Sequence, residues 1–210
     1  MRYSHIIFDM DGTLVNTASY TVPACRQASC EMELPIPTDE AIQSAIGYSS
    51  PEFYRLLLPD QPEAVLESYG IRVHELEKER IADLAKQILF PGVSELLRWL
   101  RAEGVHLHIA STGHCEYVYY ALTCSGIISL FDSIGCGLPQ KESMAINIKS
   151  TSPQSSWAFI GDRFKDADAA RAACMPSIFA GWSSWNAEEG GLFDYSVMSI
   201  DELKIFLVKT

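Results

Sequence analysis

Two largely apolar runs in this chain end on pairs of acidic residues, and that placement limits the fold more than any other feature. Residues 4–8 lead into Asp9-Met10-Asp11-Gly12-Thr13, and residues 157–160 lead into Gly161-Asp162-Arg163-Phe164-Lys165-Asp166. Short apolar runs bounded by turn-forming residues read as buried strands. The carboxylates therefore stand at strand ends. If the two strands lie side by side, three or four acids converge on one point. Acids so crowded hinder one another's ionisation and call for a cation.

Further runs of strand length occur at residues 105–110, 133–136 and 177–180, with a weaker one at 195–198. Between the later runs, residues 93–100 and 166–173 place apolar side chains at helical spacing. Strand alternating with helix predicts an α/β fold, a Rossmann-like parallel sheet with helices on both faces. In such sheets ligands bind beyond the carboxyl ends of the strands, where both acidic motifs fall.

Residues 17–87 break this rhythm. The interval holds no convincing strand and reads as helices over 22–33, 38–46, 51–58 and 62–88, jointed by Pro35, Pro37, Pro51, Pro59 and Pro62. Thr38, followed by Asp39 and Glu40, is a candidate N-cap. The expected organisation is a core of residues 1–16 and 88–210 interrupted once by a helical cap, residues 17–87.

Composition narrows the function. The chain of 210 residues is 48% hydrophobic and 20% charged, ordinary for a globular protein, and its net charge is -11. Nucleic acid is held by basic surfaces, so it is excluded as a partner and a small substrate is expected. No apolar run has the length or flanks of a signal peptide or a membrane span, so the reading is cytoplasmic, with no membrane partner. The six cysteines show no Cys-x-x-Cys spacing and are expected to be reduced, mostly buried small hydrophobes. The sequence carries no signal for an oligomeric state.

Four motifs in order give the chain a resemblance to the haloacid dehalogenase superfamily, in particular to its phosphatases with a helical cap after the first motif. They are Asp9-Met10-Asp11-Gly12-Thr13, Ser111 at the end of the run His106-Leu107-His108-Ile109-Ala110, Lys141 after Leu138-Pro139-Gln140, and Gly161-Asp162 with Asp166. The resemblance spans essentially the whole chain. It departs from the family at residue 142, where a Glu follows the lysine in place of the usual proline. Lys149 and Lys165 compete with Lys141 for the same role.

The resemblance implies a magnesium-dependent phosphatase acting on a small phosphorylated metabolite, similar to phosphoglycolate phosphatase. Asp9 would attack phosphorus to form an aspartyl-phosphate. Asp11 would protonate the leaving oxygen and then activate water. Ser111 would hold a phosphoryl oxygen, and Lys141 would offset charge as the pentacoordinate state forms. Thr13, Thr112 and the cap residue Tyr48 are the remaining substrate-binding candidates, with Tyr54 and Arg55 beside Tyr48 as candidates for specificity. The implied metal set is Asp9, Asp11 (through its main-chain carbonyl), Asp162 and Asp166, the last binding either directly or through the shell.

Asp11 separates this chain from carbon–halogen and phosphonate-cleaving relatives, which lack it. The alternatives left open are a phosphosugar mutase similar to beta-phosphoglucomutase, a pyrophosphatase, and a non-catalytic relative that binds a phosphometabolite. His106 and His108 read as core or rim residues. His114 is a candidate to touch substrate or cap, and Trp182 and Trp185 read as packing under the C-terminal segment ahead of lining the site's edge.

Overall fold

Strand β1 (His5–Phe8) is buried along its whole length and lies at the centre of the sheet in a computed structural model that describes residues 1–183 and 187–208. The remaining strands are β2 (His106–Ala110), β3 (Ser133–Gly135), β4 (Trp157–Gly161), β5 (Ser177–Ala180) and β6 (Tyr195–Val197), in spatial order β3-β2-β1-β4-β5-β6. Every pairing is parallel. The crossovers from β1 to β5 run through helices α5 (Val93–Ala102), α6 (Cys115–Cys124), α7 (Lys141–Ser150) and α8 (Phe164–Ala172), and α9 (Ile200–Leu207) follows β6.

The two-residue period of the strands splits the core. Ile6, Phe8, Leu107, Ile109 and Ile160 point to one face and pack with Leu96, Leu97, Val118 and Leu203. Ile7, Ala110, Trp157 and Phe159 point to the other and pack with Met144, Ile148, Ala169 and Ala170. Both faces are covered, as a parallel sheet requires.

Four helices lie between β1 and α5: α1 (Ala18–Glu31), α2 (Asp39–Ala45), α3 (Ser50–Leu57) and α4 (Glu63–Leu84). They share an apolar cluster of their own that includes Cys25, Ile42, Phe53, Tyr54, Leu66, Tyr69 and Val73. Thr38 caps α2, its Oγ1 accepting from the Ala41 N–H at 3.1 Å. Helix α1 starts four residues before its sequence-predicted position and carries Pro23 inside, which forfeits one backbone hydrogen bond. Burial of Tyr20, Thr21, Ala24 and Cys25 on that helix offsets the loss. Among the described residues no helix is long and apolar enough to cross a membrane.

The cysteines require a correction. Cys115 and Cys136 form a disulfide, and Cys30 and Cys174 are exposed, while Cys25 is buried as expected. The two bonded residues are 21 positions apart, beyond any short-spacing rule. They meet because β2 and β3 are neighbours and each cysteine lies past the carboxyl end of its strand. The bridge joins the loop that follows Ser111 to the loop that precedes Lys141.

At the opposite end of the sheet His5, His106 and Trp157 stack, and His5 Nδ1 lies 3.2 Å from His108 Nε2. His108 is thus a core residue and His106 a rim residue facing Asp132. Burial, with His5 beside it, pushes the His108 imidazole down to about 4 from the usual 6.5. An unfolded chain protonates this ring below pH 6.5, whereas the native state does so only near 4. The stability it contributes is whole above pH 6.5 and lost as the pH falls from there to 4. Allowing for solvent at the nearby rim, the loss is about 2 kcal/mol. Urea unfolding at pH 7 and pH 4.5 is expected to show a fall in stability that His108→Gln makes shallower. Equal falls in the two proteins would count against this account.

Candidate active site

The register of the sheet assembles the acids. Phe8 pairs with Ile109 on one side and Ile160 on the other, so Asp9 emerges level with Ala110 and Gly161, one residue short of Ser111 and Asp162. The Asp9 N–H donates to the Ile160 carbonyl at 2.9 Å, fixing the alignment. Carboxylate oxygens of Asp9, Asp162 and Asp166 lie within 4.8 Å of one another, and all three residues are buried. Thr13 Oγ1 donates to Asp162 Oδ1 at 3.1 Å, so Thr13 orients an acid. Asp166, in the first turn of α8, accepts the Arg163 N–H through Oδ2 at 3.0 Å.

Two glycines make this density of side chains feasible. Gly12 has φ +80°, and a Cβ there would overlap the Asp162 carboxylate. Gly161 lies against Asp166 so closely that its Cβ would fall on the carboxyl carbon.

Lys141, the first residue of α7, sends its ammonium into the cluster, 2.7 Å from Asp9 Oδ1 and 2.6 Å from Asp166 Oδ1. Burial opposes its charge, but the two carboxylates outweigh burial and hold the ammonium well above the usual lysine range. Burial raises the Asp9 carboxyl well above the ordinary range, Asp166 adds to the rise, and Lys141 opposes it. Lys149 is engaged elsewhere, donating to the carbonyls of Ala173 and Cys174 at the end of α8. Lys165 faces Tyr48 and Glu52.

Asp11 is not in this carboxylate group. Its Oδ1 accepts hydroxyl hydrogens from Thr17 at 2.6 Å and Tyr117 at 2.5 Å, and Tyr117 also contacts the Tyr20 hydroxyl at 2.5 Å. Burial raises the Asp11 carboxyl, and the bonds from Thr17 and Tyr117 oppose the rise. Burial likewise pushes the Tyr117 phenol well up, so it remains a donor. Tyr117 carries no sequence signal of its own. It is one of three tyrosines on a mixed helix, and only the approach of α6 to the first motif gives it a role.

Ser111 is buried, and its Oγ accepts the Gly113 N–H at 3.1 Å. Thr112 lines the hollow under the cap, and its hydroxyl meets the Gly47 carbonyl at 3.5 Å. Trp182 Nε1 donates to the Thr13 carbonyl at 2.9 Å, fastening the first motif from behind. Trp185 lies outside the described residues.

The cap is seated directly on these elements. Arg163 Nη1 donates to the carbonyls of Ser44, at 3.0 Å, and Ile46, and its Nε bonds Glu189 at 3.0 Å. Tyr48 lines the hollow, with Lys165 Nζ 4.4 Å from its ring centre. Tyr54 also lines it, but Arg55 turns outward to Glu63. Other cap cations are engaged with neighbours. Arg26 pairs with Asp39, Arg72 with Glu31 and Glu75, and Lys78 with Glu116, while Arg80 bonds Gln27.

The oxygen-only donor set suits a hard cation such as magnesium over a softer metal. A buried Asp9 carboxyl raised by burial and by the neighbouring Asp166 and Asp162 is also the environment that such a cation relieves.

Residues 6–180 match the family model described as haloacid dehalogenase-like hydrolase. The chain is similar to a probable phosphatase, IndB, of Dickeya dadantii (strain 3937), with 28% identity over 188 residues, 84% of this chain and 80% of that one. It is similar to the phosphoglycolate phosphatase of Pseudomonas fluorescens, with 28% identity over 185 residues, 82% of this chain and 67% of that one. In fold it is similar to the solved structure of a predicted phosphoglycolate phosphatase from Haemophilus somnus 129pt, with TM-score 0.85 and 21% identity over 98% and 99% of the two chains. A match over this much of the core, joined to acids at the carboxyl ends of neighbouring strands, makes the chain a member of the haloacid dehalogenase-like hydrolase family.

Proposed function

We propose that this protein is a magnesium-dependent phosphatase that hydrolyses a small phosphorylated metabolite through an aspartyl-phosphate on Asp9, the chemistry that kinship to phosphoglycolate phosphatases suggests. The observation that carries the reading is the division of labour between two acids two residues apart. Asp9 lies among Asp162, Asp166 and Lys141, whereas Asp11 is turned away and held by Thr17 and Tyr117.

In this reading the Asp9 carboxylate attacks phosphorus, the ester P–O bond breaks, and its electron pair leaves with the alcohol oxygen. Asp11, steered by Thr17 and Tyr117, gives that oxygen a proton. It later takes one from the water that cleaves the acyl phosphate. Ser111 and the Lys141 ammonium hold phosphoryl oxygens, and Thr13 keeps Asp162 in place. Asp9, Asp162, Asp166 and the main-chain carbonyl of Asp11 would hold magnesium, whose chemistry there is to offset charge on the phosphoryl group. The seated cap excludes bulk water, and Thr112 and Tyr48 face the leaving group.

Hydrolysis is favoured over a mutase, because the cap cations that could hold a distal phosphate are already paired: Arg26, Arg55 and Arg72 with acids on the cap surface and Lys78 with Glu116. The test is inorganic phosphate release from a broad panel of phosphate monoesters. At least one is expected to be hydrolysed with magnesium, and chelation should abolish the release. A folded protein that releases phosphate from none of them would sink the reading.

A further inference from the structure

Beneath the cap, beside Asp11, lies a hollow of about 80 Å³ that continues into an outer one of about 280 Å³, the two sharing His74, Glu77, His114 and Tyr117. The inner hollow is where a leaving group would stand if Asp9 attacks phosphorus and Asp11 protonates the departing oxygen. Its size suits a group of a few non-hydrogen atoms.

The charged and titratable groups on the wall of the inner hollow are the carboxyls of Asp11 and Glu77, the imidazoles of His74 and His114, and the phenols of Tyr48, Tyr54 and Tyr117. Glu77, on α4, is only 7% exposed, and its Oε1 accepts the Thr21 hydroxyl at 2.5 Å. Its Oε2 lies 3.2 Å from His74 Nδ1. Glu77 holds the His74 imidazole above its ordinary range, so a protonated His74 is spent on Glu77 and the pair never presents a net positive charge. His114 faces His74 edge-on, with ring centres 6.3 Å apart.

Among the described residues no lysine or arginine lines the inner hollow. Lys78, on the rim of the outer one, is paired with Glu116. A leaving group bearing a carboxylate would stand against the Glu77 carboxylate with no lysine or arginine to pair with. A leaving group bearing hydroxyl or ammonium hydrogens would find acceptors there, and Tyr48 and Tyr54 offer aromatic faces to its carbon skeleton.

We infer that Glu77 sets the substrate class, selecting small phosphate monoesters whose leaving group carries hydrogen-bond donors and no negative charge, and rejecting carboxylate-bearing esters. This inference rests on the phosphatase reading. It separates the chain in specificity from the phosphoglycolate phosphatases it is similar to, while leaving the chemistry at phosphorus the same.

The test compares kcat/KM of the full chain with magnesium on three esters of similar size: glycerol phosphate, phosphoethanolamine and phosphoglycolate. One of the first two is expected to exceed phosphoglycolate by at least about tenfold. Glu77→Gln, which keeps the shape and removes the charge, is expected to shrink that ratio about tenfold, mainly by improving phosphoglycolate. A wild-type protein that prefers phosphoglycolate, or a folded Glu77→Gln protein with an unchanged ratio, overturns the inference and leaves the phosphatase reading standing. If Glu77→Gln does not fold, the order of the three esters in the wild type decides alone. No release from any phosphate ester overturns the phosphatase reading, and the inference falls with it.

Discussion

Replacing Asp9 by Asn is expected to abolish phosphate release, with a loss of at least about 10⁴-fold in kcat on any accepted ester. Asn keeps the shape and the backbone bond to Ile160 but cannot form an acyl phosphate. The same change should not harm the fold. Burial and Asp166 already disfavour the Asp9 charge, so a neutral amide removes a repulsive member of the cluster and leaves Lys141 paired with Asp166. The expected result is therefore an inactive protein whose melting temperature, measured without divalent ions, is equal to or above that of the wild type. Substantial turnover by Asp9→Asn would refute the covalent route, and a collapse of stability would refute the electrostatic account of the cluster.

Lys141→Ala is expected to fail in both respects. Without the ammonium, Asp9 and Asp166 face each other buried and uncompensated. Removing one partner of a buried charge network costs about 3 kcal/mol or more, which in a chain of this size lowers the melting temperature by roughly 10 °C. Magnesium should restore part of that stability, because it binds the same acids, but not the activity, which falls by about 10²-fold or more for want of the charge that stabilises the transition state. Full turnover by Lys141→Ala would remove the residue from the mechanism. A melting temperature insensitive to magnesium in the variant would argue against the acids as its ligands.

The parts legible in the sequence are those with a local cause. Apolar runs ending in acids announced β1 and β4, and strand–helix alternation announced a parallel sheet with the acids at its carboxyl edge. Thr38 announced the start of α2, since an N-cap is a contact between residues three apart. The features that escaped depend on elements meeting in space. Tyr117 reaches Asp11 across 106 positions, and Thr21 reaches Glu77 across 56. Cys115 finds Cys136 only because β3 lies beside β2. Arg55 shows the converse: its place in the sequence beside Tyr54 suggested a site residue, but one step along α3 turns it to solvent.

Arg163 gives the seating of the cap a second meaning. It directly follows Asp162, its own N–H is held by Asp166, and its guanidinium grips the carbonyls of Ser44 and Ile46 at the end of α2. The cap is therefore clasped by the backbone segment that presents the acids, as well as by the linkers that tether it. Wherever two events share such a segment, free energy flows both ways between them: whatever steadies the acid loop favours the shut cap, and the shut cap steadies the acid loop to the same degree.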